Sequence, residues 1–180
     1  MTALRKLLDA LYALSGAIAG ICVFAIFVIM IATSVMRELG LRTGGSDDII
    51  SWITAAAAFY GLAHTFKHGD FVRVGLLLDN LGPGGRRLFE VLSLTIATVF
   101  LGYLSWSVCL YVADSHEFQD MATGLIRIPL WVPQTSVAIG SVLLFIAFLD
   151  ELVLVLSGRK PTYVVAVEER HARGDFSEDV

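Results

Sequence analysis

The sequence predicts an all-α integral membrane protein, with four transmembrane helices and short amphipathic interfacial helices. Three observations predict it. Four apolar stretches, residues 17–36, 49–66, 91–113 and 128–149, each approach the roughly 20 residues needed to cross a bilayer at about 1.5 Å rise per residue. Hydrophobic residues make up 56 % of the chain, above the roughly 45–50 % of ordinary soluble domains. No formal charge stands inside any of the four stretches. Ion-coupled carriers usually keep an ionisable group near the bilayer midplane for the proton or cation to act on. The chain therefore reads as a membrane protein that does not carry out transport chemistry alone.

The elements follow in order. Leu4, Leu7, Leu8, Leu11 and Tyr12 recur at helical spacing around Arg5, Lys6 and Asp9, which predicts a short amphipathic helix on the cytoplasmic face. The first apolar stretch then has no charge from Ala10 to Met36. That is longer than the roughly 7–15 residue core of a cleaved signal, so a retained span is expected. The second stretch is the shortest, and Ala55, Ala56, Ala57, Ala58, Gly61 and Ala63 give it one smooth flank. Residues 70–81 are apolar but too short to span, and Gly82, Pro83, Gly84 and Gly85 stop them; an in-plane or re-entrant segment is expected. The third and fourth spans follow, the last continuing toward 156. Residues 1–160 form one membrane domain. Residues 161–180 form a polar cytoplasmic tail that is expected to be poorly ordered.

Lysine and arginine set the orientation. With the first helix entering from the cytoplasm, that side holds Arg5, Lys6, Lys67, Arg73, Arg86, Arg87, Arg159 and Lys160, against Arg37, Arg42 and Arg127 outside. Both termini are then cytoplasmic. Trp52 and Trp131 fall near the external ends of their spans, where an amphipathic indole is favoured. Together with Lys67, His68, Arg73, Arg86 and Arg87 they are the candidate membrane-interface anchors. Trp106 lies mid-span and is expected to pack against another helix.

Few residues offer chemistry. His64 and His68 have ligand spacing, but the other candidate, His116, belongs to the opposite side of the bilayer. The two cysteines, Cys22 and Cys109, sit at opposite depths and read as buried small hydrophobes. Asp150 and Glu151 lie toward the cytoplasmic end of the fourth span. Asp150 has two readings: a pair with a basic residue of a partner, or else a salt bridge to Arg86 or Arg87 or simple contact with interfacial water. No phosphate loop, nucleophile motif, metal set or nucleic-acid surface is present, so the chain is read as a non-enzyme without a cofactor of its own.

With these elements placed, the chain resembles a known family, the small membrane (Q-type, DctQ-like) subunits of tripartite ATP-independent periplasmic (TRAP) transporters. The residues that carry the resemblance are Val35, Met36 and Arg37 at the end of the first span, and Ser46, Asp47 and Asp48 before the second. Phe59, Tyr60 and Gly61 within the second, the stretch 71–81, and Ile128, Pro129, Leu130 and Trp131 at the approach to the fourth complete it. The chain departs from the family at Phe71, where histidine is common, and at Gly75, where aspartate is common, so no polar contact by that pair is carried over. The resemblance implies a bacterial inner-membrane scaffold for a large M-type membrane subunit. That subunit would hold the sodium and organic-anion sites, and a periplasmic P-type binding protein would deliver substrate. Candidate partner-interface residues are Ala57 and Gly61, for close helix packing, and Arg37, Asp47 and Asp48, for salt-sensitive external contact. The competing reading is a self-contained homo-oligomeric transporter or a quinone- or haem-binding membrane subunit. It would require a midplane acid or paired histidines at matching depth.

Overall fold

A computed structural model describes residues 3–68, 83–158, 162, 164 and 165. Four helices make up nearly all of it: α1 (Ala3–Glu38), α2 (Ser46–His68), α3 (Pro83–Glu117) and α4 (Trp131–Leu156). Each contains one predicted span and is long and apolar enough to cross a membrane. The chain is a multi-pass membrane protein. The expected re-entrant segment at 70–81 and, apart from residues 162, 164 and 165, the tail at 161–180 lie outside the described residues.

Two boundaries differ from the sequence reading. The N-terminal amphipathic stretch is not a separate interfacial helix but the opening turns of α1, a single helix of 36 residues. No proline precedes Pro83, so nothing breaks the ladder. At about 1.5 Å per residue α1 reaches about 54 Å, well beyond the roughly 30 Å hydrocarbon core. The fourth helix starts at Trp131 rather than at 128, because residues 120–130 form a small hairpin instead. There Ala122 N–H donates to Ile128 O at 2.9 Å and Leu130 N–H to Asp120 O at 2.9 Å. Pro133 then falls in the first turn of α4, where its missing N–H costs no helical bond.

The helices pack in the order α1–α2–α4–α3, each against the next. This is an open row rather than a closed four-helix bundle, and it leaves α1 and α3 at the two ends. Small residues let the inner members approach. A Cβ at Gly140 on α4 would stand 2.7 Å from Phe59 Cβ and 3.1 Å from the Phe59 carbonyl carbon on α2. The core lies between α2, α4 and the inner faces of their neighbours, with Tyr12, Ala63, Phe66, Leu94, Leu101, Leu144 and Ala147 buried. Phe66 and Phe148 stack with ring centroids 3.8 Å apart.

Several hydroxyls inside the spans satisfy themselves on the helix backbone, whereas the buried Ser105 Oγ of α3 makes no hydrogen bond among the described residues. Thr54 Oγ1 donates to Ile50 O at 2.7 Å, Thr98 Oγ1 to Leu94 O at 2.7 Å and Ser141 Oγ to Ala138 O at 2.8 Å. This matters in hydrocarbon, where no water is available to take an unused donor. Both cysteines are free. Cys22 is half-buried, whereas Cys109 is exposed on α3 and not a core hydrophobe.

Candidate functional site

Two regions carry the polar side chains: the end that holds the chain termini, and the opposite end that holds the α1–α2 and α3–α4 connections. At the terminal end, Lys67 in the last turn of α2 meets Asp150 and Glu151 on α4. Its Nζ donates to Asp150 Oδ2 and to Glu151 Oε1, the latter at 2.8 Å. Lys67 is 8 % exposed and Glu151 0 %. The second Glu151 oxygen is also used, since Oε2 accepts the Thr162 backbone N–H at 2.9 Å. Thr162 thus lies against the cluster, and Val164 packs on the core beneath it.

Tyr12 closes the cluster from α1. Lys67 Nζ lies 5.2 Å from the centroid of its ring, within cation–π range. His64, one turn before Lys67, brings its Nδ1 to 3.1 Å from Tyr12 O. The ring fits because α1 has Gly16 there; a Cβ at that position would stand 2.6 Å from the imidazole. Helical spacing explains the arrangement. His64 and Lys67 share one face of α2, and Tyr12 and Gly16 share the facing side of α1.

These contacts replace the sequence reading of three residues. Asp150 is paired within the chain by Lys67, not by Arg87, whose side chain is exposed. Lys67, expected to anchor in the headgroup layer, is turned inward as the cation of a buried triad. His64, read as a polar anchor where the second helix leaves the membrane, meets the backbone of α1 instead. Among the described residues no cluster of histidine, cysteine and acidic side chains could hold a metal. The sequence held a usable signal for the triad: Lys67 and the Asp150–Glu151 pair close their helices at the same membrane face with opposite charge.

At the loop end, Asp47 and Asp48 occupy the first turn of α2, where the helix dipole favours negative charge. Asp47 is exposed and Asp48 is half-buried. The Asp48 carboxylate packs against Gly124 of the α3–α4 connection so closely that a Cβ at Gly124 would collide with it. Gly45, at φ 87°, is likewise covered by Ile126. The two connections therefore form one cap. Arg37 is exposed in the last turn of α1, a position the dipole favours for a cation. Trp131 is half-buried and meets His116 edge-on, with centroids 5.4 Å apart. Trp52 is half-buried.

The smooth flank of α2 is used inside the chain. A Cβ at Gly61 would stand 3.7 Å from Ala19 Cβ of α1, and Ala56 and Tyr60 form a small buried cluster with Ala19. Ala57 is half-buried. Arg73 and the side chains of His68 and Arg86 lie outside the described residues.

The family model for tripartite ATP-independent periplasmic transporters, DctQ component, matches residues 26–158. The chain belongs to the DctQ family. The match runs from the middle of α1 to the glycine that follows α4, so it takes in the Lys67–Asp150–Glu151 triad and the whole loop-end cap. DctQ proteins are one component of a three-part transporter, which agrees with the resemblance carried by the span-end residues. The chain matches no curated protein.

Proposed function

We propose that this DctQ chain is a non-catalytic small membrane subunit of a sodium-coupled transporter for organic acid anions. It scaffolds the large M-type subunit and meets the P-type substrate-binding protein at its loop end. The placement of charge carries this reading. Lys67 pairs with both Asp150 and Glu151 inside the chain at the terminal end, and the four spans offer no formal charge at mid-depth for a coupling ion. Sodium sites then belong to the large subunit, and this chain needs no cofactor. The exposed Asp47 and Arg37 remain available to a soluble partner, whereas Asp48 acts mainly on the cap.

The test is purification of the tagged chain from its native membrane at mild ionic strength. A large multi-span TRAP subunit should accompany it in fixed proportion, and its absence would remove the scaffold reading.

Orientation is checked separately. The lysine and arginine distribution supports an orientation with both termini cytoplasmic, in the bacterial inner membrane that the family resemblance implies. In a cysteine-free background, Thr43→Cys should react with an impermeant reagent added outside, while Gly84→Cys and Ser157→Cys should not. The reverse pattern would invert the topology.

A further inference from the structure

The two helices that end the row each leave an apolar face uncovered, and the two faces differ in chemistry. On α1 one uncovered stripe is Ile21, Phe24, Val28, Ile31 and Val35, all pure hydrocarbon, flanked by exposed Met30 and Ser34. Lipid tails suit such a face. On α3 the stripe is Leu92, Ile96, Val99, Tyr103, Trp106 and Leu110. Both stripes recur at alternating steps of four and three, the spacing that keeps a seam aligned along a neighbouring helix, so spacing alone does not tell them apart. The other side of α3 is already occupied, with Leu94, Thr98, Leu101 and Ser105 buried.

Tyr103 and Trp106 set the α3 seam apart. They are 72 % and 66 % exposed, and neither makes a hydrogen bond among the described residues. Both sit deep in the membrane. The apolar part of α3 runs Arg87–Glu117, so its midpoint is residue 102. At about 1.5 Å per residue Tyr103 lies about 2 Å from that midpoint and Trp106 about 6 Å. The headgroup belt where such rings are favoured begins roughly 15 Å from the centre, beyond the reach of either side chain. A phenol O–H and an indole N–H facing lipid tails there would have no acceptor.

We propose that this face of α3 seats a membrane helix of the large subunit, one that offers hydrogen-bond acceptors near the bilayer centre. Serine or threonine hydroxyls, or carbonyls freed by a helix break, have the right chemistry. The proposal rests on the scaffold reading and adds where the scaffold is joined: through α3, with α1 left to lipid.

The experiment places the photoreactive residue benzoylphenylalanine at Tyr103, Trp106, Phe24 or Ile31 of the full chain in its native membrane. Illumination should join positions 103 and 106 to the large TRAP subunit, identified by mass spectrometry, while positions 24 and 31 give no protein adduct. Adducts to a second copy of this chain from 103 and 106, or adducts to the large subunit from α1 alone, would overturn the proposal. So would protein-free α3 positions in a chain that still co-purifies with the large subunit, an outcome that leaves the scaffold reading intact. Failure of the unmodified chain to retain any large subunit would remove both. As a second readout, Tyr103→Phe keeps the ring and loses the donor, while Trp106→Phe loses the donor and leaves a smaller aromatic ring. Each should weaken retention of the large subunit in detergent roughly threefold, in line with measured hydrogen bonds between membrane helices, and Phe24→Leu should leave retention unchanged. Unaltered retention in both donor-less variants would also count against the proposal.

Discussion

Lys67→Met is expected to destabilise the isolated chain by about 3–5 kcal/mol, the usual cost of removing one partner from a buried ion pair. The substitution keeps an unbranched side chain of similar length but takes away the cation. Glu151 is fully buried and Asp150 largely so, and both would lose the one cation that pairs with them among the described residues. Thermal unfolding of the purified protein in detergent measures the effect. Adding Asp150→Asn and Glu151→Gln to Lys67→Met should recover most of the loss, because no unpaired charge then remains buried. A loss below about 1 kcal/mol in the single variant would mean that the triad behaves as a surface pair.

Gly140→Leu should have the next largest effect. The new side chain would start 2.7 Å from Phe59 Cβ and close to the Phe59 and Tyr60 backbone. Backbone cannot rotate aside as a flexible side chain can, so α2 and α4 must separate. Overpacking of this kind costs about 1–3 kcal/mol, and Gly140→Ala should cost less with the same sign. Gly20→Leu provides the control, since nothing lies within 4 Å of a Cβ there; its stability should match that of the wild type in the same unfolding assay. Equal effects at Gly140 and Gly20 would contradict the α2–α4 contact.

The spans were legible because a bilayer imposes a length, and a run of apolar residues can be counted. What a count cannot supply is the direction each helix face takes. The depth of Lys67 and of the Asp150–Glu151 pair could be read from the chain, yet that they meet depends on α2 and α4 being neighbours in the row. Likewise Asp48 reads as a favourable charge at a helix start, and nothing in its surroundings along the chain announces Gly124. The start of α4 was misplaced because Ile128, Pro129 and Leu130 are as apolar as the helix that follows. Only the bridge between Met121 and Pro129 separates them. The continuous α1 was missed for a related reason: an amphipathic turn feeding an apolar span has the same local pattern whether or not the chain bends between them.

The scaffold reading also explains why an open row of helices is stable enough to be selected. A row exposes two faces where a bundle exposes none of its seams, and a second polypeptide can complete one of them. On the scaffold reading this chain supports transport without performing it. The most direct measurement is uptake of labelled organic acids into liposomes that contain the purified chain alone, under an inward sodium gradient. The account predicts accumulation no greater than in protein-free vesicles, and sodium-dependent uptake by the lone chain would contradict it.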